Sequence, residues 1–369
     1  MNEKLCPNDK ILNAKTNRCV LKTGNIGKKL LQEQNIETKP QQTYKTCSTN
    51  KKNTPPCDDK HYIKMNKRNE ECCYKKTKQM LNSFKSNNII TNYYDEWSGH
   101  KINHLKNVYL ELKKYKEFTI FLLGDSSLDN KHWITKYSKP VNFYDKIIDN
   151  SKQDICFWMN KKLEKKNISS FCLNTSVEAS TLVERKKKLL PHDTFVRDNL
   201  TSKDTIIISV GNNDLAFNKI KKLSDAVKCY LTSESQDSKQ MCFKEIYKHF
   251  KTNLQAYIER ICEKVKPKNI FICILYFPDE NNEVSSWATN ALEMFMYDKN
   301  PKIFKDLLKD VHHKCISKIK ISNVNVIPIP LYNILDGKNT KDYIQRVEPS
   351  ELGGCKMAHE FIKIIEDTI

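Results

Sequence analysis

Five short apolar runs constrain the fold of this 369-residue chain more than any other feature: FTIFLLG at 118–124, ISSFCLN at 168–174, TIIISVG at 205–211, NIFICILYF at 269–277 and VNVIPIP at 324–330. Each has strand length and is bounded by turn-formers. Each is also predominantly apolar rather than strictly alternating, as strands covered on both faces are. The segments between them are long enough for helices. Strands alternating with helices predict an α/β domain with a parallel sheet and helices on both faces, here spanning 117–369.

In open sheets of this kind, reactive groups collect just beyond the carboxyl ends of the strands. The first run ends in Gly124-Asp125-Ser126 and the third in Gly211-Asn212-Asn213-Asp214. Ser126 in that place reads as a nucleophile, with a helix N-cap as the purely structural alternative. Asn213 falls at the same sheet edge, where its amide can donate to an anionic oxygen. Losing one such donor typically costs about 10²- to 10³-fold in rate. Between the two, in LNTSVEASTLVER, a backbone N–H near Ala179 can supply a further donor beside that of Ser126. Asp125 and Asp214 read as caps of backbone amides at strand-to-helix junctions. Asp129 and Asn130 are expected in the first turn of the next helix, bordering the pocket or complementing the helix dipole.

Taken together, GDS at Gly124–Ser126, the helix-opening segment Asn174–Thr181 and G-x-N-D at Gly211–Asp214 resemble the SGNH (GDSL) hydrolase family over about 117–369. The resemblance implies a flavodoxin-like three-layer α/β/α sandwich with a parallel five-stranded sheet. It also implies that Ser126 attacks an ester or acyl carbonyl, while its own amide, the amide of Ala179 and the Asn213 side chain hold the oxyanion. Ala179 stands where the family has glycine, which keeps the N–H but narrows the approach. Such chemistry requires no metal or organic cofactor, and an ester or acylated molecule is the expected substrate.

The last block departs from the family. Its D-x-x-H-P-S-x-x-G is represented by Gln345 to Gly353, and Pro349-Ser350-x-x-Gly353 fixes the register, so Glu348 takes the histidine position and Gln345 the aspartate position. V-E-P-S-x-x-G-G together with GDS-x-LDN resembles a branch of SGNH-like proteins in viruses and protists. Three readings follow. Glu348 can act as base if burial raises its reference pKa of about 4.3 toward 6 or 7. Another imidazole can serve instead, with His359 on the predicted C-terminal helix as the alternative base, His132 just past the serine, and His192 in an expected loop. Or the domain is a pseudoenzyme, a catalytically inactive virion, assembly or binding protein in which Glu348 hydrogen-bonds Ser126.

The first third has a different character. Up to Lys116 there are 24 Lys and Arg against 11 Asp and Glu, a net of +13 out of +19 for the chain. Charge of this sign suits nucleic acid, an anionic membrane surface or acidic proteins, as well as a merely solvated arm. No aromatic-interleaved basic motif singles out nucleic acid, which stays the weaker reading. Within residues 1–31, Cys6 and Cys19 bracket CPNDKILNAKTNRC, with a turn at Lys15–Asn17 and a short helix expected from Ile26. Two cysteines with no histidine nearby suit one small-loop disulfide or packed thiols. C-x₅-LN-x-KT-x-RCV followed by G-x-x-GKKLL resembles the two-cysteine adaptor domain of large DNA viruses, which implies a module that docks a viral or host protein.

A linker at 32–46 leads to a cysteine-rich module at 47–76, where Cys47, Cys57, Cys72 and Cys73, with His61, suit a disulfide or thiol-rich module or a zinc site. Adjacent Cys72-Cys73 is poor zinc geometry. A helical connector at 77–116 carries Leu105, Val108, Leu112 and Tyr115 at helical spacing. The eight cysteines from Cys156 to Cys355 read as reduced core thiols. No run of about 18 apolar residues or N-terminal apolar leader segment occurs, so the expected location is host cytoplasm or virion, without secretion by a signal peptide.

Overall fold

Along Phe118–Gly124 (β1), alternate side chains go to opposite faces, because a strand's side-chain period is two. Phe121 and Leu123 enter one core while Ile120 and Leu122 enter the other. The same division continues through Ser170–Asn174 (β2), Thr205–Ser209 (β3), Asn269–Ile274 (β4) and Asn325–Pro330 (β5). All neighbouring pairs are parallel and the order is β2-β1-β3-β4-β5. This is the doubly wound flavodoxin-like order, and the five strands fall within the five apolar runs.

The structure, a computed structural model, describes residues 10–13, 18–21, 61–65, 71–75 and 89–368. It divides into two units, 1–83 and 84–369. The first holds two antiparallel hairpins, Lys10–Asn13 with Arg18–Leu21, and His61–Met65 with Glu71–Lys75. Cys19 is disulfide-bonded. The second hairpin sets Cys73 opposite Ile63 and Cys72 opposite Lys64. The turn at Lys15–Asn17, the helix expected from Ile26, the linker, Cys6, Cys47 and Cys57 lie outside the described residues.

In the second unit the helices run in chain order as α1 (Ile102–Leu112), α2 (Ile155–Lys165), α3 (Leu182–Lys187), α4 (Pro191–Asn199), α5 (Asn213–Ala216), α6 (Lys221–Thr232), α7 (Gln236–Tyr247), α8 (Leu254–Ile261), α9 (Thr289–Met294), α10 (Pro301–Lys314) and α11 (Glu351–Glu366). Helices α2 and α11 cover one face, burying Ile155, Met159 and Leu163 with Met357, Phe361 and Ile362. Helices α1, α4, α8 and α10 contribute to the other core, through residues such as Leu105, Val196, Ile258 and Leu308. Three layers result. In α1 the periodic Leu105, Val108 and Leu112 are buried, but the helix ends at Leu112 and Tyr115 lies beyond it, partly exposed.

Two expectations need correction. Cys229 and Cys242 are not reduced thiols: they form a disulfide joining α6 to α7, with Cα atoms 5.7 Å apart. The bridge depends on how two helices meet, which the separate contexts KCYL and MCFK do not reveal. The other six remain free, five of them buried and Cys355 partly so. Asp129 and Asn130 do not open an α-helix either. They begin a single 3₁₀ turn, Asn130–His132, and both are fully buried.

At the end of β1 the chain passes Ser209, the last residue of β3, at very close range. A Cβ on Gly124 would sit 1.8 Å from the Ser209 carbonyl oxygen, and the residue's φ of +143° is itself glycine territory. Gly124→Ala must therefore push β1 away from β3, and a destabilisation of at least about 4 kcal/mol is expected. Urea unfolding followed by circular dichroism measures it.

Candidate functional site

Strands β1 and β3 are neighbours although the chain visits β2 between them, so their carboxyl ends flank the point where the strand order reverses. Ser126 follows β1 and Asn213 follows β3. The two loops are sewn together by the Asp125 amide on the Ser209 carbonyl at 3.0 Å and the Ser127 hydroxyl on that of Ser209 at 2.6 Å. Asp125 turns inward, accepting from the amide of Ser127 at 3.1 Å and its hydroxyl at 2.7 Å. Burial lifts its pKa to about 6 against these bonds. Asp214 receives the amides of Leu182 and Val183 at 2.7 and 3.0 Å, capping α3.

The segment after β2 approaches the same edge. Val177 donates its amide to the Gly124 carbonyl at 3.0 Å, and Glu178 donates its own to Asp129 Oδ2 at 2.9 Å. Thr181 and Glu184 then form a capping box that starts α3. Ala179, at the crest of this turn, has φ +59°. Glycine adopts that left-handed conformation freely, whereas alanine bears a cost of roughly 1–2 kcal/mol. The amides of Ser126 and Ala179 donate to no acceptor among the described residues. One hydrogen of the Asn213 amide goes to the Ser180 carbonyl at 3.0 Å, which orients the group and leaves its second hydrogen to donate elsewhere.

Glu348 comes from far along the chain into the same cavity. Ser126, Asn213 and Glu348 all line it, among largely apolar walls that include Leu275, Trp287 and Phe295. Its volume is about 60 Å³. Glu348 lies in the short strand Glu348–Pro349, paired antiparallel with Tyr343–Ile344. Both flanking carbonyls are held: Tyr276 donates its hydroxyl to Val347 at 2.6 Å, and Asn130 donates its amide to Pro349 at 3.0 Å. Arg346 anchors the intervening turn, donating to the Asp279 carbonyl at 3.1 and 3.2 Å and pairing with Asp298.

Glu348 is fully buried, and desolvation drives its pKa up to about 8, partly countered by the nearby Ser126 hydroxyl and Trp287 side chain. Neither carboxyl oxygen closes a hydrogen bond in this arrangement. The neighbouring charges of Asp125 and Asp129 push in the same direction as burial. Glu178 is a second suppressed acid, raised to about 9 by burial first and the charge of Glu348 next. Asp129 sits deeper, paired with the equally buried Lys131 at 2.7 Å and accepting the Gly99 amide at 2.7 Å.

The structure thus brings Ser126, Asn213 and Glu348 to one cavity and sets Ala179 on the turn pinned beside it. His359 is not there. It is exposed on α11, beside Cys355 and Pro330 in a different cavity, because Met357, Ala358 and Phe361 occupy the helix face that packs inward. His132 is exposed against Trp97 and Trp133. His192 is in α4 rather than in a loop, held at 2.7 Å from the His100 carbonyl. Gln345 does not orient Glu348: its side chain accepts from the Trp287 amide at 3.0 Å. Sequence reasoning missed Trp287, Tyr276, Arg346 and Glu178. Only Glu178 had a signal, its place next to Ala179. Among the described residues no cluster suited to a metal ion occurs.

No family model and no curated protein matches the chain. Solved structures do resemble it at low identity. They include the lipase Lip_vut3 from a goat rumen metagenome (TM-score 0.41, 16% identity, 67% of this chain and 96% of that one). The psychrotrophic esterase EstA from Pseudoalteromonas sp. gives 0.35 and 13%, over 68% and 97%. A family 3 carbohydrate esterase from Clostridium thermocellum gives 0.34 and 12%, over 67% and 94%.

The left-handed alanine yields a stability test. Ala179→Gly removes the steric cost but loosens the unfolded chain, so a net stabilisation of about 0.5–1 kcal/mol is expected. A higher urea midpoint with an unchanged slope registers it.

Proposed function

We propose that the protein is a serine hydrolase of the SGNH type acting on esters of short acyl groups, with Ser126 as nucleophile and Glu348 as its base. The observation that carries this reading is the convergence of Ser126, Asn213 and Glu348 on one small apolar cavity. A water needs roughly 10–15 Å³ measured this way, so about 60 Å³ accommodates an acyl group of a few heavy atoms.

In the proposed reaction Glu348, as carboxylate, takes the Ser126 proton while Oγ adds to the ester carbonyl. The developing oxyanion is met by the Ser126 and Ala179 amides and the free hydrogen of the Asn213 amide, donors fixed before the charge forms. Collapse breaks the bond to the alkoxide, which leaves as the alcohol with the proton from Glu348. Water then adds to the acyl-serine with Glu348 again as base, releasing the acid and restoring Ser126. A carboxylate of ordinary pKa would be a weak base for serine; burial brings Glu348 into the useful range. The competing reading is a pseudoenzyme that binds its ligand at this cavity, with Glu348 accepting a hydrogen bond from Ser126, a bond that is not closed in this arrangement. It requires Ser126 to be unreactive. Both readings are compatible with an N-terminal unit that docks a viral or host protein, and with residence in host cytoplasm or virion. No helix among the described residues is long and apolar enough to cross a membrane.

Hydrolysis of p-nitrophenyl acetate and labelling by a fluorophosphonate should both depend on Ser126 and disappear in Ser126→Ala. Since the pKa of Glu348 is raised to about 8, the base is mostly neutral at lower pH. The rate should therefore climb about tenfold per pH unit until it levels off above pH 8, and Glu348→Gln should abolish that limb with a loss of at least about 10²-fold. A limb centred near pH 6.5 and surviving in Glu348→Gln would assign the base to a histidine. Absence of labelling in the wild type would leave the binding reading in place. Asn213→Ala should lower kcat by about 10²- to 10³-fold with KM little changed, as loss of a donor used mainly in the transition state does.

A further inference from the structure

A second cavity, about 280 Å³, lies within the same unit among α3, α6, α8 and the segment Lys248–Asn253. Its walls include Leu182, Leu223 and the ring of Tyr257, while Lys186, Lys222 and Lys248 stand exposed at its rim. Glu245 lies 3.8 Å from Lys248 and neutralises part of that charge. Lys186 and Lys222 have no ion pair among the described residues. The combination of apolar walls and an under-neutralised basic rim complements a molecule with an apolar body and an anionic head.

Two buried residues in its lining connect it to the loops described above. Arg185 passes from the cavity to the Gly124 carbonyl, donating at 3.0 Å, and is held by Asp193 at 3.1 Å. His249 donates from Nε2 to the Gly211 carbonyl at 3.0 Å, with Asp214 at 3.7 Å. Gly124 lies two residues before Ser126, and Gly211 two before Asn213. His249 belongs to a π-helical stretch, Lys248–Asn253, inserted between α7 and α8. Such wide turns are uncommon and recur at functional sites. Its Nδ1 is buried and has no hydrogen-bond partner.

We propose that this cavity is a second binding site, taking a small amphipathic anion with a carboxylate or phosphate head on a short apolar body, and that occupancy stiffens the loops carrying Ser126 and Asn213. The ligand orders the rim and the π-helical stretch, and the order passes through Arg185 and His249 to two backbone carbonyls. Binding and loop order are then linked reciprocally. Nothing in this depends on turnover by Ser126.

The test uses the full chain as wild type, Ser126→Ala and the double variant Lys222→Glu/Lys248→Glu, titrated calorimetrically with sodium hexanoate, hexyl phosphate and uncharged hexanol at constant ionic strength. Saturable binding of at least one anion is expected, retained in Ser126→Ala, and at least roughly tenfold weaker both for hexanol and in the double variant. Which anion binds more tightly identifies the head group. Hydrogen exchange read by mass spectrometry should slow in peptides covering 122–130 and 209–217 when the anion is bound. The proposal is overturned by hexanol binding as well as the anions, by unchanged affinity in the double variant, by no saturation up to about 10 mM, or by binding that leaves both peptides unaffected. Binding retained in a protein that fluorophosphonate does not label separates this result from the hydrolase reading.

Discussion

The contact between the ends of β1 and β3 is the constraint on which the remaining architecture depends. Only a glycine lets the chain leave β1 against the Ser209 carbonyl, and the Asp125 amide and Ser127 hydroxyl then bond to Ser209. Two loops more than eighty residues apart become one surface. Because β2 lies on the far side of β1, its own following turn must come back across the strand ends, where the Gly124 carbonyl receives the Val177 amide. Three loops are thus fixed to one another through backbone groups, before any side chain of the site is considered.

On that frame, electrostatics do the sorting. Four carboxyl groups, Asp125, Asp129, Glu178 and Glu348, gather near Ser126, and they do not share one environment. Asp129 has Lys131 as a buried counter-ion and two backbone amides. Asp125 is satisfied in part by Ser127. Glu348 and Glu178 have far less, and burial together with the neighbouring charges holds both toward the neutral form. Glu348, which lines the cavity with Ser126, is thus held at a pKa of about 8, while Asp125 in the same loop as the serine stays at about 6. Titratable groups pushed apart by their surroundings are the usual origin of distinct acid and base roles.

Much of this was legible in the chain itself. The five apolar runs announce five strands of a covered sheet, because a strand packed on both faces has no polar face to alternate; only the edge strand β5 is part-exposed over most of its length. Gly-Asp-Ser and Gly-Asn-Asn-Asp then mark the loops at their ends. The location of Glu348 followed from Pro349 and Ser350, which set its register. What stayed hidden is tertiary in origin. Nothing local distinguishes Cys229 and Cys242 from the buried thiols, since the bond needs two helices to meet. Arg346 is buried against Asp279 and Asp298 and holds a turn whose two leading residues have positive φ, which its neighbours in sequence do not announce. Gln345 occupies a position that the resemblance reserves for an orienting acid and instead supports Trp287, a contact with a loop more than fifty residues earlier.

Asn130 takes on a further meaning from the length of chain that it spans. From the loop after β1 it accepts the Ile155 amide at 3.1 Å, 25 residues on, and donates to the Pro349 carbonyl, 219 residues on. Helix α11, which covers one face of the sheet, begins only after that carbonyl. Ser126, Asn213 and all five strands precede residue 331, yet until the segment after β5 is in place the cavity lacks Glu348 and the face covered by α2 lacks α11. The cavity that Ser126 and Glu348 line is therefore complete only when segments more than two hundred residues apart have met.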